Sequence, residues 1–332
     1  MEIAGLLIRR ERLRRSWSQE GLCAGLCSVS YLSKIEQGKA RASGELLALL
    51  FSRLGLRWDP AGEGEAAERL GACRERLFSG NDAAFCAAFD QLRPLEDRLL
   101  GGRCALDYWL LKGFFAPETL PLDEEFEPFM EPVQLAMQRM LQRRHSEAVA
   151  LYPAPFLRML QGKYLYDCGQ YGAAIEKLQT AYDAAAESGY AHIMLRSRLY
   201  MGNCHSDLGN DAQMQAHYIV AERLGEALGE TEALESIRYN IAATDLQRGR
   251  VDAACAYFSG KPAPSALDLH KLAICFEKLG RTAEAASALD AAEQKLDPDA
   301  AGAALQRKML SLVRFRLEQP DYLRQPAYGA LL

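Results

Sequence analysis

Residues 18–38, which read SQEGLCAGLCSVSYLSKIEQG, decide the fold of the first part of this chain. Ser18 suits the position just before a helix, because its hydroxyl can accept a hydrogen bond from a free backbone N–H of the first turn. The helix that follows is short and ends near Cys27. Another begins at about Val29 and ends before Gly38, a residue that readily adopts the left-handed conformation of a helix C-cap. The pattern predicts two short helices joined by a tight turn.

The neighbouring sequence extends this pattern in both directions. A basic helix is predicted from Leu6 to Arg15, and a leucine-rich stretch follows from Leu46 to Leu56. The order of core, cap and polar residues in this region resembles the Xre/Cro-type helix-turn-helix, and the resemblance covers about residues 3 to 58. It implies a five-helix DNA-binding domain at residues 1–58, with a short linker at residues 59–66.

The resemblance also implies a role for individual side chains. In that family the third helix enters the major groove and the residue that opens the second helix touches a phosphate. The residues expected to face bases are Ser28, Ser30, Tyr31 and Lys34. The residues expected to contact the DNA backbone are Gln19, Lys39 and Arg41. Arg12 and Glu36 match a pair that ties helix one to helix three, and Tyr31 could instead belong to the core with Leu22, Leu26, Val29, Leu32 and Ile35.

The charge distribution favours the same function. The chain has a net charge of −5, but residues 1–60 hold ten Lys and Arg against six Asp and Glu. A basic first part and an acidic remainder are typical of a DNA-binding module joined to a domain that does not bind DNA. The partner implied is double-stranded DNA, with a palindromic operator expected if two copies bind together.

A repeat occupies most of the remaining sequence. Four glycines, at positions 169, 209, 249 and 280, are each preceded seven residues earlier by a small residue: Gly162, Gly202, Ala242 and Ala273. This pattern resembles the tetratricopeptide repeat, in which small residues allow two antiparallel helices to approach closely. A weaker copy has its turn at Gly80, an acidic and proline-rich connection spans Pro117 to Pro132, and a capping helix is predicted at residues 302–318. We therefore expect an all-α chain with an α-solenoid at residues 67–318 and a C-terminal tail at residues 319–332.

Stacked helical hairpins line a concave groove that can bind extended peptides. The helical period predicts which side chains face it, and an Asn amide suits a peptide backbone because it donates and accepts at once. The candidate peptide-binding residues are Lys163, Tyr166, Arg196, Asn203, Asp207, Tyr239, Asn240 and Lys271. Asn203, Asn240 and Lys271 match tetratricopeptide positions that bind a peptide backbone or its carboxylate, although these asparagines could equally be solvated or capping residues.

The two parts together resemble the peptide-sensing regulators of the Rgg, PlcR and PrgX type. The resemblance implies a homodimeric transcription regulator that responds to a signalling peptide, as in quorum sensing. The alternative is a regulator whose repeats bind a larger protein partner. Fold alone does not separate the two readings.

Other classes of function lack the residues they need. No nucleophile, metalloprotease or phosphate-loop motif is present, and the five histidines show no metal spacing. We expect no enzyme activity, no cofactor and no metal; Cys23 and Cys27 share a helix face, but scattered reduced thiols are the default interpretation of nine cysteines. No apolar run is long enough to span a membrane, so a cytoplasmic location is expected.

Overall fold

The structure is a computed structural model that describes residues 3–60, 64–116, 122–297, 302–319 and 321–331. Every regular element in these ranges is helical, and their only β-type pairing is one isolated parallel bridge between Asp59 and Gly102. The all-α prediction is confirmed. Parts of the predicted linker (61–63), acidic connection (117–121) and tail (320 and 332) lie outside the described residues.

The chain divides into two compact units, Met1–Gly229 and Glu230–Leu332. The division falls inside the repeats. The first sixty residues therefore share one unit with the first helical hairpins.

Residues 3–60, called the head here, contain four helices. They are α1 (Ile3–Arg14), α2 (Gln19–Cys23), α3 (Val29–Glu36) and α4 (Gly44–Arg53). Ser18, Ser28 and Ser43 each cap the helix that follows, accepting a backbone hydrogen bond at 3.0, 3.2 and 3.2 Å respectively. The predicted Ser18 cap is confirmed.

Glycines with positive φ set two helix ends that differ from the prediction. Helix α2 ends at Cys23 rather than near Cys27, because Gly25 turns the chain with a φ of 72°. Four helices rather than five lie within the head, because Gly55, also at 72°, ends α4 and the next helix starts at Glu65. Gly38 has the predicted left-handed conformation, with a φ of 69°.

Helices α1 and α3 approach so closely that Gly5 has no room for a side chain. A Cβ atom on Gly5 would lie 2.0 Å from the carbonyl oxygen of Ile35. Around this crossing, the core is formed by fully buried apolar side chains. They include Leu7, Ile8, Leu22, Leu32, Leu50 and Phe51.

The chain leaving the head is hydrogen-bonded to the next part of the first unit. The N–H of Arg57 donates to the carbonyl of Asp97 at 3.0 Å, and the N–H of Asp59 donates to that of Gly101 at 3.1 Å. Gly101 and Gly102 permit this approach, since a Cβ on either would lie within 2 Å of a carbonyl oxygen of the paired segment (1.7 and 1.8 Å). The start of the predicted linker is thus fixed in place.

The acidic segment, residues 122–131, also binds the head. Its 3-10 helix, Glu124–Phe129, packs against α1. Arg9 pairs with Glu125 at 2.9 Å, and Arg10 pairs with Asp123 at 3.5 Å while its guanidinium lies 4.6 Å from the ring centre of Trp109. The segment predicted as a connection therefore also attaches the head to the repeats.

The rest of the first unit is built from helical hairpins. The helices are α5 (Glu65–Phe78), α6 (Asp82–Asp90), α7 (Glu96–Leu99), α8 (Cys104–Phe115), α9 (Pro132–Leu141), α10 (His145–Leu151), α11 (Pro155–Asp167), α12 (Tyr171–Ser188), α13 (Ala191–Asp207) and α14 (Asp211–Leu228). The predicted turns at Gly80, Gly169 and Gly209 are confirmed, with φ values of 77°, 73° and 75°. Each lets the chain reverse between two helices.

Small residues bring the paired helices together, as the repeat pattern predicts. A Cβ atom on Gly162 would lie 2.6 Å from Leu178 Cγ, and one on Gly202 would lie 2.3 Å from the ring of Tyr218. The large side chains of α12 and α14 thus fill the space that the glycines of α11 and α13 leave open.

The second unit has two hairpins and a covering helix. Its helices are α15 (Thr231–Gln247), α16 (Val251–Ser259), α17 (Ala266–Lys278), α18 (Thr282–Gln294), α19 (Ala303–Glu318) and α20 (Pro326–Leu331). Leu310 and Val313 of α19 are buried in one cluster with Leu289 of α18. The predicted capping helix is confirmed, because α19 covers the last hairpin.

A stacked pair of histidines, the buried His217 and the half-buried His205, joins α13 to α14. The rings of His205 and His217 stack with centres 5.2 Å apart, and Nδ1 of His217 accepts a hydrogen bond from Arg198 at 3.1 Å. The Arg198 guanidinium in turn lies 3.9 Å from the ring centre of Tyr182 on α12. Burial lowers the pKa of His217 to about 4, and the charge of Arg198 acts in the same direction.

Replacing Gly5 with Ala should destabilise the head. The added methyl group meets a backbone carbonyl that cannot move independently, so the expected loss is about 1–3 kcal/mol in the free energy of unfolding. Gly44→Ala is the matched control, because a Cβ at Gly44 meets nothing within 4 Å. Denaturant unfolding followed by tryptophan fluorescence measures both; equal stabilities of the two variants would contradict the described crossing of α1 and α3.

Acid should destabilise the first unit through His217. The folded chain disfavours the protonated ring, so this contribution to stability is complete above the ordinary pKa of 6.5 and is lost as the pH falls from 6.5 towards 4. In His217→Asn the amide oxygen can accept the bond from Arg198 but does not titrate. Thermal unfolding from pH 7 to 4 should give a shallower decline for this variant, whereas parallel curves would refute the assignment.

Candidate functional site

The side of α3 that faces solvent, together with the N-cap residue, is mostly polar. Ser28, Ser30 and Lys34 are exposed, and Tyr31 is half-buried. The Ser28 hydroxyl accepts the Tyr31 N–H at 3.2 Å, so it holds the start of the helix. The structure therefore brings together the four residues expected to face bases on one short helix.

The loop after α3 is fixed against the same surface. The Tyr31 hydroxyl donates to the carbonyl oxygen of Arg41 at 2.7 Å, and the N–H of Lys39 donates to the carbonyl of Lys34 at 2.8 Å. Lys39 and Arg41 have exposed side chains. Three cationic side chains thus lie beside α3 without packing in the core of the head.

A buried ion pair positions α3 on α1, as expected from the sequence. Arg12 donates two hydrogen bonds to Glu36, from Nε at 2.7 Å and from Nη2 at 2.9 Å. Its Nη1 donates to the carbonyl of Trp17 at 2.7 Å. The hydrogen bonds that Arg12 donates to Glu36 raise the pKa of Arg12, since the carboxylate stabilises the charged guanidinium.

Gln19 belongs to this network. Its amide nitrogen donates to the second oxygen of Glu36 at 2.8 Å, and the side chain is half-buried. The residue expected to contact a phosphate is therefore held by the carboxylate that also binds Arg12. Its phosphate contact stays a prediction.

Val29 was expected in the core, and that expectation is wrong. Its side chain is 42% exposed, at the first position of α3. Successive residues of a helix are rotated by about 100°, so Val29, Leu32 and Ile35 drift around α3 in one direction, and only the latter two reach the core. Val29 adds an apolar side chain to the exposed surface, between Ser28 and Ser30.

Helices α11 and α13 of the first unit carry a cluster of tyrosines and charged side chains. The rings of Tyr166 on α11 and Tyr200 on α13 have centres 5.9 Å apart. Lys163 Nζ lies 5.8 Å from the Tyr200 ring centre and 2.6 Å from Asp167. Burial raises the pKa of Tyr166 to about 12, with the charge of the nearby Asp207 as the next cause.

Two candidate residues of this cluster already have protein partners. Asn203 Oδ1 accepts a hydrogen bond from the Tyr218 hydroxyl of α14 at 2.7 Å, which fixes its amide plane. Arg196 binds both oxygens of Asp82, at 3.0 and 2.5 Å. Asp82 starts α6, and sequence analysis did not identify it, because the two residues are 114 positions apart.

The candidates of the second unit lie on α15 and α17. Tyr239 makes an edge contact with Phe258 at 5.7 Å between ring centres, and burial raises its pKa to about 12. Asn240 follows it on α15 and is half-buried. Burial lowers the pKa of Lys271, and no carboxylate of the described part of the chain pairs with this lysine.

A second lysine of this unit, absent from the candidates, is fully paired. Lys261 Nζ lies 3.2 Å from Glu235 and 3.0 Å from Asp268, and 5.5 Å from the ring centre of Tyr257. It precedes α17 in a loop, where the helical period used to choose candidates does not apply. Lys271 therefore differs from Lys261 in lacking a counter-charge.

Two further points concern the described ranges as a whole. None of the helices there is both long and apolar enough to cross a membrane. Within the same ranges, no group of three His, Cys, Asp or Glu side chains is arranged to hold a metal ion.

Comparison with known proteins identifies the head. Residues 8–60 match the family model described as helix-turn-helix. A comparison with curated protein sequences found no match to the chain. The first sixty residues therefore form a helix-turn-helix domain.

Solved structures with partial similarity include three bacterial proteins. ComR from S. thermophilus, in complex with DNA and its signalling peptide ComS, is 16% identical, with a TM-score of 0.42 over 73% of this chain and 99% of that one. PlcR from Bacillus thuringiensis, in complex with the peptide PapR7 and DNA, is 13% identical, with a TM-score of 0.37 over 71% and 99%. The SHP pheromone receptor Rgg2 from Streptococcus dysgalactiae is 14% identical, with a TM-score of 0.28 over 88% and 99%.

Glu36→Gln should lower the free energy of unfolding of the head. The change leaves the Arg12 guanidinium, whose side chain is 10% exposed, without its counter-charge. Breaking a buried pair in this way costs about 3–5 kcal/mol, whereas the exposed control Lys34→Ala should stay within about 0.5 kcal/mol of the parent. Denaturant unfolding measures both changes, and a loss for Glu36→Gln no larger than that for Lys34→Ala would be incompatible with the described pair.

Proposed function

We propose that this chain is a cytoplasmic, homodimeric transcription regulator that binds DNA through its helix-turn-helix domain and a signalling peptide through its helical repeats. It acts by binding and not as an enzyme. The observation that carries the proposal is the exposed, mostly polar side of α3, where Ser30 and Lys34 face solvent, with the exposed Lys39 and Arg41 in the loop that follows.

The chemistry of this surface suits double-stranded DNA. A helix of eight residues fits the major groove, where Lys34 can donate to guanine and the hydroxyls of Ser28 and Ser30 can bond to either base pair. Lys39 and Arg41 lie beside the helix, where phosphates would pass. Val29 supplies an apolar contact for a thymine methyl group.

The repeats of each unit, taken separately, carry side chains suited to an extended peptide. Tyr166 and Tyr200 offer aromatic faces to apolar side chains, and Asn203, held by Tyr218, presents a fixed amide. Lys271 of the second unit is a half-buried cation without a carboxylate partner among the described residues, which favours binding of an anionic group. These features support a peptide ligand more directly than a large folded partner.

Selection of binding sites from random duplex DNA by the full chain tests the proposal, with Lys34→Ala and Lys39→Ala as a matched pair. Lys34→Ala should cost about 1–3 kcal/mol on the selected site and relax the preference at one base pair. Lys39→Ala should weaken all sequences alike and reduce the slope of log affinity against log salt by about 1.

Two outcomes would count against the proposal. Equal losses from both variants on all sequences would remove α3 as the recognition helix. Enrichment of no sequence would overturn the DNA-binding function itself.

A further inference from the structure

We propose that Arg196 is a carboxylate-binding site which the chain's own Asp82 occupies in this conformation, and that a ligand carboxylate binds by displacing Asp82. The proposal rests on the function proposed above, since it names the chemical group that the repeats recognise. It also assigns a consequence to binding, the release of the hairpin α5–α6 from α13.

The geometry is that of a carboxylate receptor. The guanidinium of Arg196 holds both oxygens of Asp82 side by side, the bidentate arrangement that a planar carboxylate favours. The Arg196 side chain is 27% exposed, whereas that of Asp82 is 63% exposed. The guanidinium on α13 is thus largely covered, whereas the Asp82 carboxylate is exposed to solvent, where a ligand carboxylate can replace it.

The neighbouring pair on this face shows why Asp82 is distinctive. Lys163 and Asp167 are four residues apart on α11, so breaking their contact rearranges only one helix. Asp82 instead belongs to α6, on a different hairpin. Gly80, two residues before it, packs against Ile193 of α13, since a Cβ atom on Gly80 would lie 2.8 Å from Ile193 Cγ1. Displacing Asp82 therefore loosens a contact between two separate hairpins.

A continuous set of contacts leads from this hairpin to the head. Arg74 of α5 bonds to Asp107 of α8 at 3.0 Å. Helix α8 also carries Trp109, the ring beneath the Arg10 guanidinium of α1. Movement of α5–α6 thus acts on the helix that supports the head, which is the physical link a ligand response requires.

The surroundings restrict the ligand to one carboxylate with an apolar neighbour. Tyr200 lies one turn beyond Arg196 on α13, and its ring contacts Tyr166 and the Lys163 ammonium, so an apolar ligand side chain beside Arg196 would pack at the edge of this cluster. Asp207 lies at the end of α13 near Tyr166 and repels further negative charge. A peptide C-terminus and a single acidic side chain both present this chemistry.

The test uses the full chain and three pools of random heptapeptides. One pool has a free C-terminal carboxylate and no Asp or Glu, one is amidated and contains Asp or Glu, and one is amidated without acidic residues. Retained peptide is measured by mass spectrometry for the parent, Asp82→Asn, Asp82→Ser and Arg196→Gln. Asp167→Asn is the matched control, because it also removes an exposed carboxylate from a cation of this face.

Removing the internal competitor should increase retention of a carboxylate pool by about fivefold or more, as expected when the binding-competent state becomes dominant. Both Asp82 variants should show this gain, and whichever pool gains identifies the source of the carboxylate. The pool without carboxylates should not gain, Asp167→Asn should match the parent, and Arg196→Gln should lose retention. Amide hydrogen exchange in residues 80–90 should rise in the Asp82 variants.

Equal retention by the parent and both Asp82 variants, or an equal gain of the pool without carboxylates, would overturn the proposal. Site selection on random DNA is run on the same proteins. Failed peptide retention with intact DNA selection removes only the Arg196 site. A carboxylate-dependent gain without DNA selection leaves the site in place and removes the regulator.

Discussion

Helix α1 is buried on two sides, and the arrangement of the whole first unit depends on it. On one side Gly5 lets it touch the backbone of α3, and Arg12 grips Glu36 at the end of that helix. On the other side Arg10 stacks on Trp109. A single twelve-residue helix thus fixes both the direction of the exposed α3 and the position of the head on the repeats.

Half of the basic residues of the head are paired with carboxylates of the molecule itself. Five of its ten basic residues lie within residues 9–15, and each has an acidic partner among the described residues. The partners are Glu125, Asp123, Glu36 and, for both Arg14 and Arg15, the fully buried Glu11. Lys34 on α3 and Lys39 and Arg41 in the loop after it have exposed side chains. The net charge of the first sixty residues therefore overestimates the positive electrostatic potential that DNA would meet. The remaining positive potential is concentrated on the side of the head that carries α3.

Local features of the structure were predictable from the sequence, because they depend on spacing over a few residues. The Ser18 cap, the turn glycines and the close approach at Gly162 are of this kind. The Arg12–Glu36 pair was predictable only through resemblance to a family. Contacts such as Arg196–Asp82 and Arg10–Trp109 join segments about a hundred residues apart, and no periodicity encodes them. The exposure of Val29 was missed for a different reason, since it lies at the edge of an apolar stripe whose direction only the packed helix fixes.

The glycine pair at positions 101 and 102 has a consequence for how such chains can recombine. The backbone of residues 57–59 lies directly on these glycines, and the acidic segment grips α1 from a second direction. A helix-turn-helix domain transplanted from another protein would bring neither a matching strip of backbone nor arginines at the required places. The helix-turn-helix domain of this molecule is therefore not an interchangeable module: a working chimaera has to exchange residues 97–102 and 122–131 together with the first sixty.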